Sequence, residues 1–155
     1  MISPELLKRY PFFSSLLESQ LTEIAMIADE IDCINGETLF EENQPANTLY
    51  LLINGGIDLT IKSEEEFHPT QHREFTVGEI NPGEIFGISA LAEPSVYDAT
   101  ARTSRDSQII KIDAEALRGL MKEDVELANH LMVQVIRELK ERLRSTRVQL
   151  AAAWA

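Results

Sequence analysis

One cysteine, Cys33, stands among 155 residues. A lone thiol forms no internal disulfide and supplies no Cys-only zinc site or iron–sulfur cluster. Such sparing use fits a reducing compartment. Positive charge is also scarce: 14 Lys and Arg face 26 Asp and Glu, a formal net charge of −12. A field of that sign repels nucleic acid, so neither DNA nor RNA is expected as a partner. Glycine (7) and proline (6) are too few for a low-complexity or collagenous chain. No stretch approaches the roughly 18 apolar residues of a membrane span. Met1–Tyr10 has no apolar run behind a basic start, as a signal peptide needs. The expectation is a cytoplasmic protein without a membrane partner. Catalytic motifs are missing too. There is no Gly-x-Ser-x-Gly elbow, no phosphate-loop lysine and no paired His-Glu zinc motif. Neither enzymatic activity nor a metal or other cofactor is expected, and the scattered carboxylates read as a solvating surface.

What is present is a globular composition, 44% apolar and 26% charged. It suits one domain over residues 1–155 with a core of its own. Three zones follow one another. Residues 1–31 read as N-terminal helices. Ser3-Pro4-Glu5 offers a capping hydroxyl, a proline at the first helical position and an acid at the positive end of the dipole. A second start falls near Ser19, with Leu21, Ile24, Ala25 and Ala28 at helical spacing. Residues 32–112 change texture. Runs such as Leu49–Ile53 and Ile57–Ile61 are split by Asn35-Gly36, Asn54-Gly55-Gly56, Val77-Gly78 and Asn81-Pro82-Gly83. Alternating apolar runs between such breakers are hairpin signals, and their spacing suggests a β-sandwich or jelly roll. Gly36, Gly55, Gly83 and Gly87 sit where turns need positive φ. Ser63–His72 is the most polar insertion and reads as a solvated hairpin tip.

Residues 113–155 read as helical again. Asp113 caps a short helix holding Leu117 and Leu120. A long helix follows over about 125–146, its apolar stripe being Ala128, Leu131, Met132, Val135, Ile136, Leu139 and Leu143. Some 20 helical residues span about 30 Å, more than a small core needs. A protruding stripe asks for a partner, so a homodimer through this helix is expected. The alternative is a helix packed flat on the sheet. Arg137, Lys140, Arg142, Arg144 and Arg147 accumulate near the helix end, where cations favour the dipole.

Residues 35–59, Asn35-Gly36-Glu37-Thr38-Leu39-Phe40 through Leu49-Tyr50-Leu51-Leu52-Ile53-Asn54-Gly55-Gly56-Ile57-Asp58-Leu59, resemble the first half of a cyclic nucleotide-binding domain. That β-roll is shared by the catabolite activator protein family and cyclic-nucleotide-dependent kinases. Gly36, Leu39-Phe40, Tyr50 and Gly55 follow the family pattern in order and spacing. Val77–Gly87 is similar to the strand and Pro-Gly turn that lead into the family's phosphate-binding cassette. The resemblance implies a mainly β fold with flanking helices: a double-stranded β-helix, or jelly roll, between N-terminal helices and a long C-terminal helix.

It also implies a ligand pocket at Phe86, Gly87, Ile88, Ser89, Ala90, Leu91, Tyr97, Asp98, Ala99 and Thr100. In the family a Glu after the Phe-Gly pair binds the ribose and an Arg beyond the cassette helix pairs with the phosphate. Here those positions hold Ile88 and Tyr97, and Asp98 adds a charge of the wrong sign. Arg102 on a strand would have the opposite parity to Tyr97 and face away. A charge-assisted hydrogen bond contributes roughly 1.5–3 kcal/mol. Losing both anchors weakens binding by ~10²–10⁴-fold. Usual binding of cyclic AMP or cyclic GMP is therefore expected to be lost. Three possibilities stay open: another, less polar small-molecule effector; a pocket filled by Tyr97 in a scaffold that binds a protein partner; or a nucleotide sensor of non-standard mode. Members that regulate transcription carry a helix-turn-helix after the long helix, and the sequence ends at Ala155 without room for one.

Other residues draw simpler readings. His68 and His72, near Glu64–Glu66, have a zinc-like spacing but fall in the proline-containing loop. His130 is expected at the surface of the long helix or in its seam. Cys33 reads as a small buried hydrophobe.

Overall fold

The computed structural model describes the backbone of residues 1–65 and 68–155 and the side chains outside 63–72. Two four-stranded antiparallel sheets form the centre. One has the order β1 (Ala28–Cys33), β8 (Ser107–Asp113), β3 (Thr48–Asn54), β6 (Ile85–Phe86); the other β2 (Thr38–Phe40), β7 (Thr100–Thr103), β4 (Ile57–Glu65), β5 (His68–Ile80). Helices α1 (Pro4–Lys8) and α2 (Glu18–Met26) precede them, and α3 (Ala114–Glu123) and α4 (Val125–Ala153) follow. A short 3₁₀ helix, Ile88–Leu91, lies between β6 and β7. This is the jelly roll with flanking helices that the sequence implies.

Strand β3 shows how the layers are built. Leu49, Tyr50, Leu51 and Leu52 are all buried, because both faces of the strand are covered. The two-residue period sends Leu49 and Leu51 to one side and Tyr50 and Leu52 to the other. Leu49 and Leu51 join a cluster with the helices, including Leu7, Phe13, Ile24, Leu117, Leu127 and Leu131. Tyr50 and Leu52 join the interior of the roll with Phe40, Ile57, Phe86, Tyr97 and Ile109.

The four turn glycines adopt positive φ, between 74° and 108°. Gly55 shows why a side chain is excluded as well: a Cβ there would stand 2.1 Å from Ser107 Oγ and 2.7 Å from the Asp106 carbonyl.

Local expectations need correction at three places. Residues 28–31 are not helical. Ala28–Cys33 pairs along its length with Ser107–Ile112, and a partner strand that sets Ala28 opposite Ile112, 84 residues away in sequence, overrides the helical period there. The Ser3 hydroxyl caps no backbone amide; it donates to the Glu5 carboxylate. The polar stretch 63–72 is not all loop, since strand backbone runs to Glu65 and resumes at His68. Its tip and the side chains of His68 and His72 lie outside the described residues.

The C-terminal helices begin as expected. Asp113 Oδ1 accepts from Glu115 N at 3.2 Å, and Asp124 Oδ1 accepts from Leu127 N at 3.1 Å. Gln20, buried in α2, donates to Asp124 Oδ2 at 3.0 Å and ties the N-terminal helices to this junction. Helix α4 is longer than 125–146: its 29 residues reach Ala153. Its stripe divides. Leu131 and Val135 are buried in the chain's own core, with Met132 packed beside them and Ala128 half-buried. Ile136, Leu139 and Leu143 remain 57%, 49% and 50% exposed. No helix among the described residues is long and apolar enough to cross a membrane.

Candidate functional site

The turn between β6 and the 3₁₀ helix is made by Gly87, φ 74°. A Cβ there would press to 3.1 Å on both the Thr48 carbonyl and the Tyr50 ring, so the backbone passes close to β3. Phe86, Ala90 and Leu91 point into the core and are buried. The Arg118 guanidinium, from α3, donates to the Ala90 carbonyl at 2.5 Å and holds the 3₁₀ turn from behind.

Tyr97 is the central side chain. It is 4% exposed. Its ring stacks on Phe40 with centroids 3.8 Å apart and planes 14° apart. Phe40 in turn meets Tyr50 at 5.6 Å, and Tyr50 stacks on Phe86 at 5.0 Å. The Tyr97 hydroxyl donates to the Thr48 carbonyl at 2.7 Å and accepts from Thr48 N at 3.2 Å. Burial pushes the phenol above its ordinary range, so it stays a neutral donor. An aromatic column thus runs from Tyr97 through Phe40 and Tyr50 to Phe86 beside the 3₁₀ turn.

Beside it lies a cavity of about 240 Å³. Six of the ten expected pocket residues line it: Gly87, Ile88, Ser89, Tyr97, Asp98 and Ala99. Phe40 and Leu59 add apolar wall from the roll, and Leu139 and Arg142 close it from α4. Phe86, Ala90 and Leu91 support the wall without lining it. Thr100 belongs elsewhere: it lines a separate hollow of about 440 Å³ with Glu41, Glu42, Lys62, Glu74 and Arg102. Arg102 there pairs with Glu74 at 3.3 Å and is turned away from the cassette. The strand-parity argument does not apply, because Tyr97 precedes the strand, which starts at Thr100.

Arg142 is the residue that local sequence reasoning missed. Read as a cation favouring the helix dipole, it instead folds back onto the cassette. Its guanidinium donates to the Ile85 carbonyl, stands 4.0 Å from Glu138, and buries Nε without an acceptor among the described residues. Burial draws its pKa down, while Glu138, Glu84 and Asp98 act the other way. Glu138 is itself pushed up by burial, against the pull of Arg142. A signal was available. Leu131, Val135, Glu138 and Arg142 follow i, i+4, i+7, i+11, one face of a helix, so the charge lies on the core-facing stripe.

The remaining candidates are structural. His130 contacts the Ser15 hydroxyl. Cys33 is buried, and burial first, then neighbouring acids, pushes its thiol up to about 11, which leaves it a poor nucleophile. No cluster of three metal-ligating side chains occurs among the described residues.

Comparison with known proteins agrees with this architecture. A candidate cyclic nucleotide-binding protein from Geobacter metallireducens GS-15 superposes with a TM-score of 0.79 at 35% identity, over 92% of this chain and 99% of that one. The N-terminal domain of a Streptomyces coelicolor A3(2) transcriptional regulator matches at 26% identity and a TM-score of 0.65, over 94% of each chain. The CRP-like cAMP-activated global transcriptional regulator of Mycobacterium tuberculosis is 25% identical over 95% of this chain. The chain spans 61% of the length of that relative. The profile of the cyclic nucleotide-binding domain matches residues 34–124, and the chain belongs to the cyclic nucleotide-binding domain family.

Proposed function

We propose that this chain is a non-catalytic regulatory module, sensing a ligand or scaffolding a partner, in which the usual binding of cyclic AMP and cyclic GMP is lost. The observation that carries this reading is Tyr97. Stacked on Phe40 and bonded to Thr48, it occupies the place of the phosphate arginine, and Ile88 replaces the ribose carboxylate. The regulatory part of the reading is supported by the relatives, which are named as transcriptional regulators. The module works as a homodimer in the cytoplasm. Its seam is the exposed part of α4, where Ile136, Leu143 and Leu150 recur every seven residues with Leu139 between them.

A second reading has one observation in its favour. Arg142 carries positive charge to the cassette from α4, so a cyclic nucleotide could be held in a non-standard mode. Calorimetric titration of the whole chain with cyclic AMP and cyclic GMP to millimolar concentration decides between them. The proposed reading expects no saturable heat. Micromolar binding would replace it with the second.

A further inference from the structure

A guanidinium that is mostly withdrawn from water and lacks a close hydrogen-bonded carboxylate is expensive to keep. Arg142 is in that position. The one hydrogen bond its guanidinium makes among the described residues goes to the Ile85 carbonyl; Glu138 at 4.0 Å, with Glu84 and Asp98, favours its charge without a hydrogen bond to it, and Nε is buried with no acceptor. The side chain also forms a wall of the 240 Å³ cavity, whose other walls include Phe40, Leu59, Tyr97 and Leu139. A cation set in a mainly apolar pocket is how proteins recognise a small organic anion; Ser89 and Asp98 are the other polar side chains at the wall besides the Tyr97 hydroxyl.

We propose that this cavity binds a small monocarboxylate with an aromatic or branched aliphatic body, and that Arg142 of α4 receives its carboxylate. The proposal rests on the reading that the nucleotide mode is lost. Three features set the ligand class. Guanidinium matches carboxylate geometry with two parallel N–H donors. The cavity is smaller than the roughly 300–1,000 Å³ that holds larger ligands. Asp98, exposed at the lining, opposes a second negative charge, which disfavours dianions such as phosphate monoesters. The aromatic column offers a ring-shaped body a flat face to lie against.

The test is titration of the intact, isotope-labelled chain with benzoate and with benzamide, its neutral isostere, followed by amide NMR shifts. Benzoate should shift residues 86–99 and the α4 amides near Arg142 saturably, with a Kd in the low millimolar range expected of so small a ligand. Benzamide should bind at least about tenfold more weakly, as should benzoate to Arg142→Met. Arg142→Lys, which keeps the charge and loses the fork, should fall between them and guards against a variant that fails to fold. Equal binding of benzoate and benzamide, benzoate binding unchanged in Arg142→Met, or no saturable shift would overturn the proposal. Cyclic AMP in the same titration judges the underlying reading separately. Its saturable binding would overturn the loss of the nucleotide mode, while the benzoate and benzamide comparison alone judges Arg142.

Discussion

The Tyr97 hydroxyl closes a two-way link with the Thr48 peptide, donating to its carbonyl at 2.7 Å and accepting from its amide at 3.2 Å. The link joins the segment after the 3₁₀ turn to the start of β3 and locks the aromatic column in place. Removing the hydroxyl strands two backbone groups. Tyr97→Phe should therefore cost about 1–2 kcal/mol, a fall of roughly 3–6 °C in Tm. Tyr97→Ala should cost about 3–5 kcal/mol by opening a cavity. Thermal melts of the two variants check this, and an unchanged melt for Tyr97→Phe would show that the hydroxyl is not paired as described.

The proposed loss of the nucleotide mode can be tested by substitution. Ile88→Glu together with Tyr97→Arg introduces both charges that the proposed reading takes to be absent from the cassette. Cyclic AMP affinity should then rise ~10²–10⁴-fold over the parent chain. Calorimetry on parent and double variant measures it. Equal heats would mean that something other than these two positions, with Asp98 the first suspect, closes the pocket to nucleotide.

Two glycines with similar φ should respond differently to alanine. Gly36, φ 83°, has nothing within 4 Å of a built Cβ, whereas Gly55, φ 108°, would drive its Cβ into Ser107 and the Asp106 carbonyl. Gly36→Ala should cost about 1–2 kcal/mol from backbone strain alone. Gly55→Ala should cost more by at least about 1 kcal/mol, because backbone has to move. Urea denaturation ranks them, and equal midpoints would remove steric crowding as the reason for Gly55.

The α4 seam predicts oligomeric state. Ile136→Glu with Leu143→Glu places charge on exposed positions, away from the buried Leu131 and Val135. The parent should have about twice the chain mass of 17.5 kDa in light scattering, and the variant the chain mass with unchanged far-ultraviolet dichroism. A monomeric parent at micromolar concentration would eliminate the seam.

Acid should loosen the α3–α4 junction. Asp124 has its pKa lowered, first by the hydrogen bond from Gln20 and then by the Leu127 amide. A carboxylate depressed in the folded state contributes stability above its unfolded value, near 3.8, and loses it as pH falls through the lower folded value. The stability difference between the parent and Asp124→Ala should be constant above that window and shrink below it. Denaturation midpoints measured across acid pH test the sign; a gap that widens in acid would contradict it.

Much of the fold was legible because it is written locally. The apolar run Leu49–Ile53, the breakers at Asn54-Gly55-Gly56 and the cap at Asp113 each act over a few residues, and all keep their roles in the structure. The strand and Pro-Gly turn leading to Gly87 were legible in the same way, from order and spacing. Tertiary structure decided the rest. Ala28–Cys33 became a strand because β8 pairs with it. The α4 stripe was divided by tertiary packing: Leu131 and Val135 lie in the core cluster that also holds residues of the N-terminal helices, the first sheet and α3, while Ile136 and Leu143 are left bare. Arg142 reached Ile85, 57 positions earlier in the chain, by the path of α4 across the roll. A periodic pattern states which face of an element is apolar. It does not state which surface meets that face, because that depends on contacts between residues whose separation in sequence carries no local signal.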